Sequence, residues 1–136
     1  MVKRWLLKTE PGEYSYEDLI REGKTVWDGV TNALALKYLR SIREGDSLLM
    51  YHTGTIRAAV GLAKAASAPY PDPERQDPKI VVVDVVPVRK LKHAVTLEAI
   101  KSDRRFKDFE LVRLPRLSVM PVPDPVWGAI LKMADG

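Results

Sequence analysis

The chain has 136 residues, 46% hydrophobic and 29% charged, with a net charge of +4 and no cysteine. That length fits one domain over residues 1–136 with a single core, and the composition is that of a globular protein rather than a disordered one. The missing cysteine excludes disulfides, thiolate zinc sites and cysteine nucleophiles, while the basic balance leaves an anionic partner open.

Read from the N-terminus, Met1-Val2-Lys3-Arg4 and the run Trp5-Leu6-Leu7 resemble the start of a signal peptide. The apolar run stops too soon for an h-region, and nothing approaches the roughly 18 apolar residues of a membrane span. A cytoplasmic protein, not attached to a membrane and monomeric, is expected. Residues 3–8 read as a strand closed by Thr9-Glu10-Pro11-Gly12. A helix is predicted over 16–22, with Ser15 as N-cap, Asp18 three positions on, Leu19 and Ile20 on the buried face, and Gly23 at the C-terminal turn.

Val26-Trp27-Asp28-Gly29-Val30-Thr31-Asn32 is the most informative stretch. A large aromatic followed directly by turn and capping residues belongs at the lip of a cavity, where a stacking platform would sit. Leu34, Tyr38, Leu39 and Ile42 then recur at near-helical spacing, with Thr31 or Asn32 as cap and Gly45 as stop. Strands over 47–53 and 58–66 form a hairpin through Thr53-Gly54-Thr55, and the small residues Ala58 to Ala63 imply close packing against the second of them. Four prolines between Pro69 and Pro78 make an extended loop. Ile80 to Val88 is a buried strand, and 96–101 a turn or two of helix. Leu117 to Val122 is another strand, and Asp124-Pro125 caps a last helix burying Trp127, Ile130 and Leu131.

Five or six short strands with a hairpin among them predict an α+β fold: a small curved, partly closed β-barrel with helices packed on its outside. A doubly wound parallel sheet fits less well.

The charge is uneven. Residues 87–116 carry nine basic and four acidic side chains, while the flanking segments together contribute no surplus of positive charge. This stretch, with Arg89, Lys90, Lys92, Lys101, Arg104, Arg105, Lys107, Arg113 and Arg116, is either a nucleic-acid flank or a solvated basic loop. Chemistry is otherwise sparse. His52 and His93 have no metal-ligand spacing, no phosphate-binding glycine loop exists, and no serine lies in a nucleophile-elbow context. No metal, cofactor or catalytic residue is therefore predicted. Polar residues instead gather at strand ends and turns: Lys8-Thr9-Glu10 closes the first strand, Trp27-Asp28-Gly29 opens the second helix, and Tyr51-His52-Thr53 closes the hairpin's first strand. Such ends often converge on one barrel mouth, and mouths hold ligands.

Several motifs in order resemble the EVE domain family: Trp5-Leu6-Leu7-Lys8-Thr9-Glu10-Pro11, Tyr14-Ser15, Trp27-Asp28-Gly29-Val30, Tyr51-His52-Thr53, Tyr70-Pro71-Asp72, Leu111-Val112-Arg113 and Arg116-Leu117-Ser118-Val119. They cover the chain from about residue 3 to residue 133. The resemblance implies a PUA-like fold, shared with YTH, ASCH and PUA domains, and a nucleic-acid binding module that reads a modified base, with modified cytosine in DNA favoured and RNA as the alternative. By that analogy the base pocket would draw on Lys8, Thr9, Glu10, Trp27, Asp28, Gly29, Val30, Asn32, Tyr51, His52, Thr53, Leu117 and Ser118. Arg104, Arg105, Arg113 and Arg116 would meet phosphates. One position departs from the pattern: Thr31 stands where many members carry arginine, so an arginine contact does not carry over there.

The residues also allow duller roles. Trp27 could be core, as Trp5 and Trp127 are expected to be; Asp28 could serve only helix entry; His52 could be structural. Two other function classes stay open: a nucleobase-acting enzyme using Glu10 or Asp28 as acid/base, and a binder of RNA or a small molecule at the same mouth.

Overall fold

The structure is a computed structural model and describes residues 2–136. Seven strands and five α-helices follow in the order β1 (Arg4–Thr9), α1 (Tyr16–Glu22), β2 (Thr25–Trp27), α2 (Ala33–Ser41), β3 (Ser47–His52), β4 (Ala58–Ala65), β5 (Tyr70–Pro71), β6 (Val81–Thr96), α3 (Leu97–Lys101), α4 (Glu110–Arg113), β7 (Val119–Pro121) and α5 (Asp124–Asp135), with a 3₁₀ turn at Arg104–Phe106 between α3 and α4. The sheet order is β2-β6-β4-β3-β1-β7, with β5 paired to β6. β1 and β3 run parallel and the other pairings are antiparallel. Bulges between Ala59 and Gly61 and between Leu62 and Ala63 break the register against β6, and bulges bend a strand and sharpen its twist. The sheet curls into a half-barrel, the predicted α+β, PUA-like architecture. No helix is long and apolar enough to cross a membrane among the described residues.

Local signals account for most elements. Ser15 Oγ accepts from the Asp18 N–H while the Asp18 carboxylate accepts from the Ser15 N–H, a complete capping box, and Gly23 closes α1 with a φ of 76°. That cap places Tyr16 on the sheet, where its ring covers Gly61 so closely that a Cβ there would overlap it. The hydroxyl of Tyr16 donates to the Leu62 carbonyl. The small-residue strand is thus the seat of Tyr16.

Asp46 fastens the start of β1 to the turn before β3. Its carboxylate accepts from the Lys3 N–H, from the Arg43 N–H and from Trp5 Nε1, the last at 2.9 Å. Trp5 and Trp127 are both core residues.

Several expectations change. β2 was not foreseen: Thr25–Trp27 pairs with Val83–Val85 of β6, so Trp27 ends an edge strand rather than sitting in a turn. β6 runs on to Thr96, because Leu91 and Val95 are buried beneath the basic residues and keep the strand attached to β4. Only Val119–Pro121 of the predicted 117–122 strand is β; Leu117 and Ser118 lie in the approach to it. Ile20 and Leu34 face solvent; Leu39 and Ile42 are buried and Tyr38 packs against the core as expected, with Ala35 and Leu36 completing the buried face of α2. Asp124 is the first residue of α5 and pairs with Arg4 at 3.2 Å instead of capping. Tyr70 anchors the proline loop by donating to Asp84 Oδ1 at 2.6 Å, and that carboxylate pushes its phenol up to about 12.

Candidate nucleic-acid interface

A cavity of about 530 Å³ opens where the two ends of the curled sheet approach. One wall is the end of β1 with the turn after it (Lys8, Thr9, Glu10, Glu13, Tyr14). The facing wall is β2 and the loop into α2, from Thr25 through Trp27, Asp28, Gly29, Val30 and Thr31 to Asn32, and Ser118 closes the side next to β1. β2 is one edge of the sheet and β7 the other, so curling brings residues far apart in strand order onto one opening. The Lys8 N–H donates to the Ser118 carbonyl at 3.0 Å, tying the β1 wall to the approach of β7.

The loop from Asp28 to Asn32 is shaped by two residues. Gly29 has a φ of 79°, a conformation that a side chain makes costly, and Asn32 Oδ1 caps α2 by accepting from the Ala35 N–H at 3.0 Å. Trp27 is only 7% exposed and belongs to the core, showing the cavity a limited part of its ring. Tyr14 stands edge-on to it, with centroids 6.4 Å apart and an interplanar angle of 82°. The two aromatics form a corner rather than a sandwich, so a planar ligand can stack on one face only.

The polar lining is largely uncommitted. Among the described residues, the side chains of Glu10, Asp28, Thr31 and Ser118 have no hydrogen-bond partner within the chain, whereas Thr9 Oγ1 donates to the Tyr14 carbonyl at 2.7 Å. Lys8 is half-buried over the Tyr51 ring at 5.7 Å, its Nζ donates to the Pro115 carbonyl at 2.8 Å, and burial lowers its pKa. The phenol of Tyr14 is pushed up by its own burial and by Glu22, whose carboxylate it donates to at 2.6 Å. The cavity thus offers acceptors at Glu10 and Asp28, donors at Ser118 and Thr31, one cation, and apolar patches at Val26 and Val30.

Nine of the thirteen expected pocket residues line this space: Lys8, Thr9, Glu10, Trp27, Asp28, Gly29, Val30, Asn32 and Ser118. The other four stand elsewhere. Tyr51 is buried beneath Lys8. His52 is 4% exposed and its Nε2 accepts from the Tyr16 N–H at 3.0 Å, an arrangement that needs the neutral ring; burial lowers its pKa accordingly. Thr53 is pinned to β1, its N–H donating to the Thr9 carbonyl at 2.9 Å, and Leu117 is buried at the edge of a neighbouring groove. Glu13, Tyr14, Thr25, Val26 and Thr31 also line the cavity, beyond the expected set; Thr25 and Val26 do so through the pairing of β2 with β6, and Glu13 and Tyr14 through the turn after β1.

Several cations of the basic stretch are paired with carboxylates. Arg89 pairs with Asp135 at 3.6 Å and Lys90 with Glu17 at 3.4 Å, both on β6. Arg105 grips Asp103 at 2.7 Å and Arg113 meets Glu110 at 3.7 Å, while Arg104 and Arg116 have no carboxylate within 4.0 Å among the described residues. Of the four expected phosphate contacts, Arg116 lies closest in sequence to the cavity, two residues from Ser118, and none lines it.

A second cavity, about 640 Å³, is lined by Thr55, Ile56, Arg57, Thr96, Leu97, Glu98, Lys101 and Ser102. It is larger but has no aromatic side chain, so it offers nothing for a base to stack on.

A half-barrel whose sheet edges meet over an aromatic and polar cavity defines a PUA-like domain. The chain belongs to the EVE domain family, whose model matches residues 3–133. It is 30% identical to thymocyte nuclear protein 1 of Mus musculus over 96% of this chain and 73% of that protein. Among solved structures it is similar to Rpa0253 of Rhodopseudomonas palustris, with a TM-score of 0.93, 36% identity, and coverage of 98% of this chain and 93% of that one. It is also similar to the human THYN1 protein in complex with 5-methylcytosine-containing DNA, with a TM-score of 0.90, 27% identity and 98% of each chain covered. An ASCH protein of Zymomonas mobilis shares the fold alone, at a TM-score of 0.60 and 10% identity over 96% of this chain and 95% of that one.

Proposed function

We propose that this chain is a nucleic-acid-binding module whose cavity receives a modified base, 5-methylcytosine in DNA before others, turned out of its stack. The observation that carries this reading is the aromatic corner of Trp27 and Tyr14 at a cavity whose Glu10, Asp28, Thr31 and Ser118 side chains face solvent, so they can hydrogen-bond a ligand without breaking a contact of the fold. The 5-methylcytosine-containing DNA bound to the human relative supports the choice of base.

The cavity's chemistry matches a cytosine edge. Glu10 or Asp28 accepts from the exocyclic amine, and Ser118, Thr31 or Lys8 donates to the ring acceptors. Val26 and Val30 supply an apolar recess for the 5-methyl group. Extruding a base costs a few kcal/mol, and stacking on one aromatic face returns about 1–3 kcal/mol. A methyl group in an apolar recess contributes roughly 1 kcal/mol, so preference over unmodified cytosine should be about five- to tenfold rather than absolute. Arg116 contacts the phosphates flanking the base. Nothing in this scheme requires bond cleavage, and the domain acts by binding.

Tryptophan-fluorescence titration with matched oligonucleotides carrying cytosine, 5-methylcytosine, 5-hydroxymethylcytosine or N6-methyladenine, as DNA and as RNA, tests the reading. Tightest binding to 5-methylcytosine DNA, weakening steeply with salt, is expected. Equal and feeble binding to every oligonucleotide would sink it.

A further inference from the structure

Beside the cavity lies an apolar groove of about 330 Å³, lined by Asn32, Leu34, Leu114, Pro115, Arg116 and Leu117. Asn32 lines both, so the groove continues directly from the cavity. One side of it is a tight turn: the Leu117 N–H donates to the Leu114 carbonyl at 3.0 Å, and Pro115 fixes the backbone at the second position. The turn is held at three points. The Leu114 N–H donates to the Glu110 carbonyl at 2.7 Å, Leu117 is buried, and Lys8 reaches over from β1 to hold the Pro115 carbonyl. On the other side, Leu34 projects from the first turn of α2. Leu114 is 37% and Leu34 36% exposed, large apolar side chains facing water at the rim of a polar cavity.

We propose that the Leu114-Pro115-Arg116 turn, with Leu34 opposite, is a wedge that enters a DNA duplex at the step vacated by the extruded base. This inference rests on the base-cavity reading and sharpens it: the target is double-stranded DNA. Removing a base from a duplex leaves two exposed base faces, and proteins that distort DNA fill such gaps with Leu, Pro and similar apolar side chains. A wedge must be rigid, since ordering a mobile loop on binding would offset what the insertion gains, and this turn is ordered beforehand. The groove is lined by one arginine and no carboxylate, and Lys8 lies behind it, so its charge suits a polyanion. Arg116, at the tip of the turn, is placed to meet a backbone phosphate while its apolar neighbours enter the stack.

Leu114→Ala and Leu34→Ala test this, with Leu114→Phe as a variant that keeps an insertable side chain, each checked for an unchanged melting temperature. Binding is measured to a duplex with one 5-methylcytosine and to the same strand alone. Leu114→Ala should weaken duplex binding roughly tenfold and single-strand binding less than about twofold, while Leu114→Phe retains duplex binding. 2-Aminopurine placed next to the 5-methylcytosine should brighten on binding wild type and much less on binding Leu114→Ala. Equal loss on duplex and single strand, or unchanged duplex binding, overturns the wedge. If wild type prefers the methylated single strand but duplex binding ignores Leu114, the wedge alone fails; if no preference for the methylated strand exists, the base-cavity reading has failed first.

Discussion

Thr9 and His52 are neighbours across the sheet, yet the regions they belong to treat polar groups in opposite ways. Around His52 the buried polar groups have protein partners: His52 Nε2 accepts from the Tyr16 N–H, the Tyr16 hydroxyl donates to the Leu62 carbonyl, and, at the other end of the same strands, the Asp46 carboxylate accepts from Trp5 Nε1 and two backbone amides. Around Thr9 the side chains of Glu10, Asp28, Thr31 and Ser118 stand without hydrogen-bond partners among the described residues, at an open cavity. Committed polar groups hold the fold, and removing one leaves its partner unsatisfied at a cost of about 1–3 kcal/mol. Uncommitted ones hold water until a ligand replaces it, so changing them should alter binding and leave stability nearly untouched.

Trp27 joins the two regions and should give the largest effect. As a core residue, Trp27→Ala should cost about 3–5 kcal/mol in chemical denaturation and also abolish base binding. A folded, equally stable variant would show that the ring is not part of the core. In the closed region, Gly61→Ala must displace the Tyr16 ring and should cost about 2–3 kcal/mol by the same measurement, with oligonucleotide affinity per folded molecule unchanged. In the open region the pattern reverses: Asp28→Asn and Ser118→Ala should each shift stability by less than about 0.5 kcal/mol but weaken 5-methylcytosine binding roughly five- to thirtyfold.

The smallest effect is a pH dependence. His52 is held neutral and its folded pKa lies below the unfolded value of about 6.5. Between those two values the unfolded chain binds a proton that the folded one does not, so stability falls as pH drops from about 6.5 toward the folded pKa and is constant in this respect above it. Melting temperatures recorded from pH 8 to pH 5 should show the decline, and His52→Gln, which keeps an acceptor, should flatten it. A wild-type profile level across that window would contradict the buried neutral ring.

Sequence made the closed region and the cavity's framework readable to different degrees. Ser15, Asp18 and Gly23 are local signals and placed α1 to the residue, and Thr53-Gly54-Thr55 located the hairpin. The family motifs converged on a mouth that contains Lys8 to Glu10 and Trp27 to Val30. What failed depends on distant pairing. Three residues of β2 carry no periodicity to detect, so the sequence alone points to a turn at Trp27 and does not mark Thr25 and Val26 as lining. The charged second half of β6 looked like loop because its anchors, Leu91 and Val95, are only two residues among Arg89, Lys90, Lys92 and His93. Tyr51 and His52 share a strand end with the mouth, but the roll of the sheet turns them into the core.

An amide-resolved NMR titration of the ¹⁵N-labelled chain with a short 5-methylcytosine oligonucleotide tests the division between the regions most directly. Shifts confined to Thr9, Glu10, Asp28 to Asn32, Ser118 and the Trp27 indole are predicted, with the resonances around His52 and Gly61 unmoved. Shifts centred instead on Thr55 to Arg57 and Thr96 to Ser102, at the larger cavity without aromatics, would contradict the account.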